Sequence, residues 1–420
     1  MLLFIYQFLM VVFGPFLVLW IRYRVHTGRE DPQHYRERFG HARQARPKGT
    51  VVWFHGASNG ECLSFLPVLA ALEAQHPRLK FLVTAGTRSA ATLLKKRLGT
   101  RAMHQFAPLD HPLFVRRFLV HWRPSLSFRT ESDFWPLTLD ATHKKGPLIL
   151  LNGRLSEKTY HRWAFLKPFF VRMLRTFKII FPQSYEDYKR FQALGLHSLK
   201  MIGNLKFEGD ALTVDVGSVH KLKKEIGRRP VWVASNTHEG EEAYMIDAHQ
   251  QLLKKVGSQL LLILIPRHKE RLPAIHQMLA TKKMRYIHRS DGQKITDDVQ
   301  VFIVDTMGEL GIFYSLTNFV VMAGSFFAHI GGHNVLEPAR LGAMPLFGPH
   351  MENNYEMAQL LLKNKAALQI KNPRKISDVV ADLLQHPKDT KKKADMVKTI
   401  LKNIDILRPT MAEIYRHVRF

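Results

Sequence analysis

The chain has one cysteine, Cys62, in 420 residues, so no intramolecular disulfide is possible and no cysteine framework holds the fold. A single thiol agrees with a reducing compartment. HExxH and Cys/His arrays are also missing, and neither GxGxxG after the first predicted strand nor GxxxxGKS/T occurs. Their absence argues against zinc hydrolases, dinucleotide oxidoreductases and P-loop ATPases. His329 and His333 are four apart, but Gly331-Gly332 between them works against the helical geometry a metal pair needs. No metal and no cofactor is expected. Acids are scarce too, with 35 Asp and Glu against 62 Lys and Arg for a net charge of +27. Such a balance attracts an anionic partner: nucleic acid, a lipid surface or an acidic substrate. The basic residues are scattered over ordinary helices with no aromatic interleaving and no reader motif, so nucleic acid is not the expected partner.

What is present starts with an apolar run. "MLLFIYQFLMVVFGPFLVLW" carries no charged side chain from Met1 to Trp20, about the length a helix needs to cross a hydrocarbon layer, and Arg22, Arg24 and Arg29 follow it. A secretory signal would place its charge before the run and a small-residue cleavage site after it, so an uncleaved anchor helix over residues 1–24 is expected. The arginines would keep the remainder cytoplasmic. Two readings stand for this segment, one spanning the bilayer and one lying on it, and Gly14-Pro15 would kink either.

Beyond the anchor the sequence alternates. "TVVWFHG", "KFLVTAGT", "SLSFRT", "PLILLN", "KIIFP" and "LKMIG" read as buried strands separated by helix-length stretches. The pattern lapses near Glu208–Lys224 and resumes with "PVWVAS", "QLLLILIP", "VQVFIVD", "NFVVMA", "AMPLF" and "AALQI". Apolar strands alternating with helices form parallel sheets covered on both faces. The expected class is α/β with two doubly wound Rossmann-like domains facing a cleft, over residues 25–208 and 209–400, with a helix at 401–420 packing back on the first domain.

In open α/β sheets ligands bind at the carboxyl ends of strands, and the unusual residues fall there. Ser58, Gly60 and Glu61 follow the first strand, Glu131 and Asp133 the third, Arg154 the fourth and Lys206 the sixth. In the second half, Ser235, His238 and Glu239 follow one strand, Pro266, Arg267 and His268 the next, then Met307, Gly308 and Glu309, and finally Ser325 to Glu337. A second reading stands beside this one. Ser58-x-x-Glu61, Thr130-x-x-Asp133, Thr306-x-x-Glu309 and Asn334-x-x-Glu337 resemble capping boxes, in which the acid serves only the helix start. In "GSFFAHIGGHNVLEPA", Gly331 and Gly332 permit close backbone approach, and a helix beginning near Asn334 would offer free N–H groups to a phosphate while Glu337 accepts from ribose hydroxyls.

Taken in order, "YRERFG", "GASNGE", "TESDFWP", "NGRLSEKTY", "GNLKFE", "ASNTHEGEE", "IPRHKER", "DTMGELGIFY", "GSFFAHIGGHNVLEPA" and "FGPHMENN" resemble the bacterial 3-deoxy-D-manno-octulosonic acid (Kdo) transferase family, from about residue 35 to about 353. The resemblance implies GT-B architecture and transfer of Kdo from CMP-Kdo to the lipid A precursor at the cytoplasmic face of the inner membrane. It implies Glu61 as general base, with Glu131 and Asp133 beside it. The residues it implies for substrate contact are Ser58, Gly60, Arg154, Lys206, Ser235, His238, Glu239, Pro266, Arg267, His268, Met307, Gly308, Glu309, Ser325, Gly331, Gly332, His333, Asn334 and Glu337. Three places depart from the family pattern: Asn59 stands where Val is usual, Gly153 where Ala is usual, and Ser132-Asp133 where Thr-Glu is usual. The alternative is another GT-B glycosyltransferase with a different nucleotide sugar.

Overall fold

A computed structural model describes residues 1–208, 212–402 and 404–419. The chain divides into two compact units, Met1–Gly209 with Asp405–Phe420, and Asp210–Ile404. Residues 209–211, where the sequence places the change of domain, lie outside the described residues.

The first unit is built on strands β1 (Val51–Gly56), β2 (Lys80–Ala85), β3 (Ala102–Phe106), β4 (Leu126–Thr130), β5 (Leu148–Gly153) and β6 (Ile179–Pro182). They lie in the order β3-β2-β1-β4-β5-β6, all parallel. The central strand explains why: Val51, Val52, Trp53 and Phe54 are apolar without alternation and fully buried, so both faces of β1 need a covering layer. One layer packs Trp53 and Leu82 on Val115, Phe118 and Trp122. Another packs Leu150 and Ile180 on Phe170, Leu174 and Phe191. Two details differ from the sequence reading. "AMHQF" forms β3 although His104 and Gln105 interrupt its apolar character, and "LKMIG" is no strand, contributing one isolated bridge from Leu199 to Ile180.

The second unit holds β7 (Val231–Thr237), β8 (Leu261–Pro266), β9 (Tyr286–His288), β10 (Val301–Ile303), β11 (Phe319–Met322), β12 (Met344–Phe347) and β13 (Leu368–Gln369) in the order β13-β12-β11-β7-β8-β10-β9, again parallel throughout. The three-residue strand β9 was not expected. The basic C-terminal stretch is two helices: Pro387–Lys402 stays with the second unit, and Leu407–His417 belongs to the first, where Tyr415 donates to Gln75 at 2.5 Å.

The N-terminal segment is not the single helix expected. It forms α1 (Leu2–Val12) and α2 (Gly14–His26), bent by 55°. Pro15 has no N–H and its ring crowds the preceding turn, which breaks the helix at this point. Among the described residues no single helix is long and apolar enough to cross a membrane, although the bent pair together meets that length and composition.

Candidate functional site

Helix α3 (Asn59–Gln75) starts directly after β1. Ser58 is its N-cap, accepting from the Glu61 N–H at 3.3 Å, while Glu61 Oε2 accepts from the Ala57 N–H at 2.8 Å and the Ser58 hydroxyl donates to Glu61 Oε1 at 3.0 Å. The capping geometry is therefore real, and it fixes the Glu61 carboxyl at the carboxyl edge of the sheet. Capping and chemistry do not compete here, because each carboxylate oxygen keeps lone pairs beyond those the cap occupies.

Around Glu61 the first unit gathers two further acids. Glu131, just past β4, adopts φ +56, a left-handed conformation uncommon outside glycine. Lys206 Nζ lies 2.5 Å from its Oε1. The same lysine passes above Gly60, where an added Cβ would sit 3.8 Å from Nζ. Arg154 joins through its backbone, its N–H donating to the Glu131 carbonyl at 3.2 Å, while its side chain is exposed. Asp133 is buried, with His55 Nε2 3.4 Å from Oδ1 and Arg129 Nη1 3.3 Å from Oδ2. Thr130 lies in β4 and donates to the His55 carbonyl at 2.9 Å, so Thr130-x-x-Asp133 is no capping box. Glu61, Ser132, Asp133, Trp135, Arg162 and Trp163 are among the residues lining an open pocket of about 420 Å³.

The electrostatics separate the acids. Burial would raise the Asp133 carboxyl, but His55, Arg129 and Trp135 outweigh it and hold the group below the ordinary carboxylate range. For Glu61 burial dominates and pushes its proton affinity up; the Ala57 N–H opposes this, and Glu131 and Asp133 add to the rise. A carboxylate whose proton affinity is raised, next to one held ionised, has the character of a general base. Cys62 is buried, and burial followed by Glu61 pushes its thiol up to about 12, so it is no thiolate nucleophile.

Positioning groups that the sequence reading did not single out lie beneath this cluster. Arg129 is buried with its guanidinium 3.9 Å over the Trp53 ring. His55 Nδ1 shares a 2.7 Å hydrogen bond with the Thr84 hydroxyl. Asn152, at φ +49, donates to Asn204 Oδ1 at 2.9 Å and accepts from the Leu205 N–H at 2.8 Å, and Asn204 Oδ1 also accepts from the Lys206 N–H. This pair sets the loop that carries Lys206.

The second unit brings several of the expected residues to the carboxyl edge of its sheet. His238 and His333 are 2.8 Å apart through their Nε2 atoms with stacked rings, and His268 meets His238 edge-on. Burial, followed by the neighbouring histidines and Arg267, lowers both His238 and His333, the latter to about 4. At pH 7 they are neutral imidazoles beside Arg267, whose N–H donates to the Thr237 carbonyl at 3.0 Å. Ser235 shares a 2.7 Å hydrogen bond with the Tyr314 hydroxyl, and the charge of Glu337 bears on Tyr314. The Met307–Glu309 turn occupies the β10 end: Met307 is exposed, Gly308 has φ +84, and Glu309 is held by Arg289 at 2.8 Å and by Thr306. Glu239 lies outside this group, exposed and paired with Arg271 at 3.0 Å.

Both Gly331 and Gly332 have φ +80. A Cβ on Gly331 would lie 2.7 Å from Asn353 Nδ2, and one on Gly332 would lie 2.5 Å from Met351 Sδ and 3.0 Å from the His350 carbonyl. The close approach inferred from sequence is thus made by the protein's own 350–354 segment. The following helix, expected to begin near Asn334, runs from Leu336 to Arg340, and the Leu336 N–H is taken by Asn334 Oδ1 at 3.1 Å. The loop is organised from below by Glu241, wholly buried, whose carboxylate accepts from Gly324 N at 2.7 Å, Phe326 N at 3.1 Å and His238 N at 3.1 Å. His238-x-x-Glu241 carries the capping spacing, a signal that could have marked it. Ser325 contributes as a bridge, its hydroxyl donating to the Met322 carbonyl and accepting from Gly348 N at 2.7 Å.

Two parallel α/β sheets with polar groups at their carboxyl edges define the class: the fold is that of GT-B glycosyltransferases. A glycosyltransferase from Rickettsia africae superposes with a TM-score of 0.58 over 88% of this chain and 98% of its own at 11% identity, a likeness of fold. Residues 33–209 match the family described as 3-deoxy-D-manno-octulosonic-acid transferase (kdotransferase). Similar relatives carry that enzyme's name: one from Rickettsia bellii is 33% identical, with 90% of each chain covered, and one from Haemophilus influenzae is 28% identical, with 93% of this chain and 92% of that one covered. The chain belongs to the 3-deoxy-D-manno-octulosonic acid transferase family.

Proposed function

We propose that the protein transfers Kdo from CMP-Kdo to the lipid A precursor, lipid IVA, at the cytoplasmic face of the inner membrane, in lipopolysaccharide core biosynthesis. The observation that carries this reading is the Glu61–Glu131–Asp133 cluster on the first sheet of a chain belonging to this family. Glu61 takes the proton of an acceptor hydroxyl while that oxygen bonds to the anomeric carbon of the sugar. The bond from that carbon to the CMP phosphate oxygen breaks, and CMP departs with the electron pair, inverting the configuration. Glu61 suits the task because an ionised group of raised basicity accepts a proton readily.

The second unit serves the donor. Arg267 provides fixed positive charge for the phosphate, and neutral His238 and His333 are short-range hydrogen-bonding groups rather than counter-ions. Met307, Gly308 and Asn334 contact the nucleotide, and Glu309 and Glu337 accept from its hydroxyls. Lys206 and Arg154 hold the donor carboxylate or the acceptor phosphates. Side chains and backbone dipoles stabilise the leaving group, with no metal needed. An anionic membrane surface suits the +27 charge and the apolar N-terminal pair.

The test is mass spectrometry of lipid products after supplying purified protein with CMP-Kdo and the tetra-acylated precursor. A mass gain of one or more Kdo units is expected. Activity with a uridine nucleotide sugar and none with CMP-Kdo would assign the chain a different donor.

A further inference from the structure

We infer that the N-terminal pair does not cross the bilayer but lies in one leaflet as a bent helix pair docked on the first unit, beside a groove that takes the phosphate of an anionic phospholipid. This rests on the membrane reading above. Neither helix crosses alone: α1 has 11 residues and α2 has 13. At 1.5 Å per residue each extends about 20 Å or less, against a hydrocarbon core of about 30 Å. Together, bent by 55°, the two have the length and composition to cross, so it is their contacts with the first unit that decide against it.

Docking contacts run along both helices. The Tyr6 hydroxyl in α1 donates to Asp110, a buried carboxylate that also accepts from Leu137 N at 3.1 Å and from Thr138 N at 2.7 Å, the start of helix Pro136–His143. At the bend, Gly14 is buried so closely on His111 that a Cβ would lie 2.8 Å from Nε2. In α2, Ile21 is 1% exposed, packed with Phe39 and Phe114. A spanning helix would have to surrender the Tyr6–Asp110 bond and uncover that packing.

The remaining face of the bent pair is apolar and open: Phe4 is 72% exposed, Phe8 60%, Phe16 66%, Leu19 60% and Trp20 49%. A patch of this kind in water is a binding surface, and an in-plane helix buries it at the boundary between headgroups and acyl chains. Charge identifies the occupant. Arg22 and Arg29 are exposed at the end of the apolar run, and beside α1 a groove of about 260 Å³ joins Leu3, Phe169 and Met173 to Arg172 and Arg175, with Asp140 and His143 on its wall. Two arginines and three apolar side chains lining one groove beside the apolar helix match a phosphate that carries acyl chains.

The test uses the full chain with a protease-cleavable tag before Met1, expressed in a Gram-negative host. The expected result is membrane-bound protein whose tag is removed in inside-out vesicles and protected in spheroplasts. Cleavage in spheroplasts would overturn the one-leaflet placement while leaving the membrane reading in place; recovery of the chain in the soluble fraction would overturn both. For the groove, Arg172→Ala/Arg175→Ala should bind phosphatidylglycerol vesicles about 30-fold more weakly than the parent, with phosphatidylcholine binding unchanged. Equal binding to phosphatidylglycerol would remove the groove from the proposal.

Discussion

Replacing Asp133 by Asn probes the buried charge arrangement under Glu61. The side chains of Arg129 and Asp133 are 2% and 3% exposed, and Asp133 is the carboxylate in contact with that guanidinium. Asparagine keeps the shape and an acceptor oxygen but leaves the guanidinium with the Trp53 ring and no negative charge in contact. Removing one partner of a buried pair costs about 3–5 kcal/mol, because the other charge stays desolvated. In a unit of this size that is a fall in the unfolding midpoint of roughly 10 °C. The sign with pH follows from Asp133 being held below its ordinary range. Its contribution is present above the unfolded value of about 3.9 and fades as pH falls through the folded value, so the deficit of the variant should be full at neutral pH and shrink in acid. Tryptophan fluorescence is the assay, since five of the six tryptophans lie in the first unit and Trp53 touches Arg129 itself. A neutral-pH deficit under about 1 kcal/mol would refute the reasoning, for that is the scale of an exposed pair.

Glu131→Gln should move the acid limb of kcat/KM to lower pH, because burial, then Glu131 and Asp133, raise Glu61, and one of them is withdrawn; an unmoved limb in the pH profile would detach Glu131 from the base. Glu241→Gln should cost about 2–4 kcal/mol, since an amide NH₂ then faces at least one of three buried backbone donors. Denaturant unfolding measures this, and CMP affinity should fall with it as the Gly324–His333 loop loosens.

How much of this was legible depended on how far apart in sequence the partners stand. The rim was readable because parallel strands put their following loops on one edge, so Glu61 and Glu131 sorted together from strand order; Lys206 reaches the same place although "LKMIG", the strand expected before it, does not form. Ser58-x-x-Glu61 also carried its own local signature: the Ser58 hydroxyl accepts from the Glu61 N–H, while the carboxylate accepts from the N–H of Ala57, one residue before the cap. Asp133 did not: its partners His55 and Arg129 sit on neighbouring strands β1 and β4, and adjacency of β1 and β4 is a fact of sheet order, not of periodicity. The glycines at 331 and 332 signalled a tight backbone without revealing that Met351 and Asn353 fill the space. Strands β3 and β9 escaped because one is interrupted by polar residues and the other has three residues. The bend at Gly14-Pro15 was readable as a break, whereas Tyr6 finding Asp110 was not.

The central claim is that Glu61 takes the proton, and Glu61→Gln tests it most directly. Because the Glu61 carboxyl is raised, its ionised form is a cost to folding above its folded value, so the amide should leave the unfolding midpoint unchanged or slightly higher at pH 7. Kdo transfer from CMP-Kdo should fall by at least 100-fold, the scale of general base catalysis, while CMP affinity stays within about twofold. A folded variant that transfers at the parent rate would contradict the account.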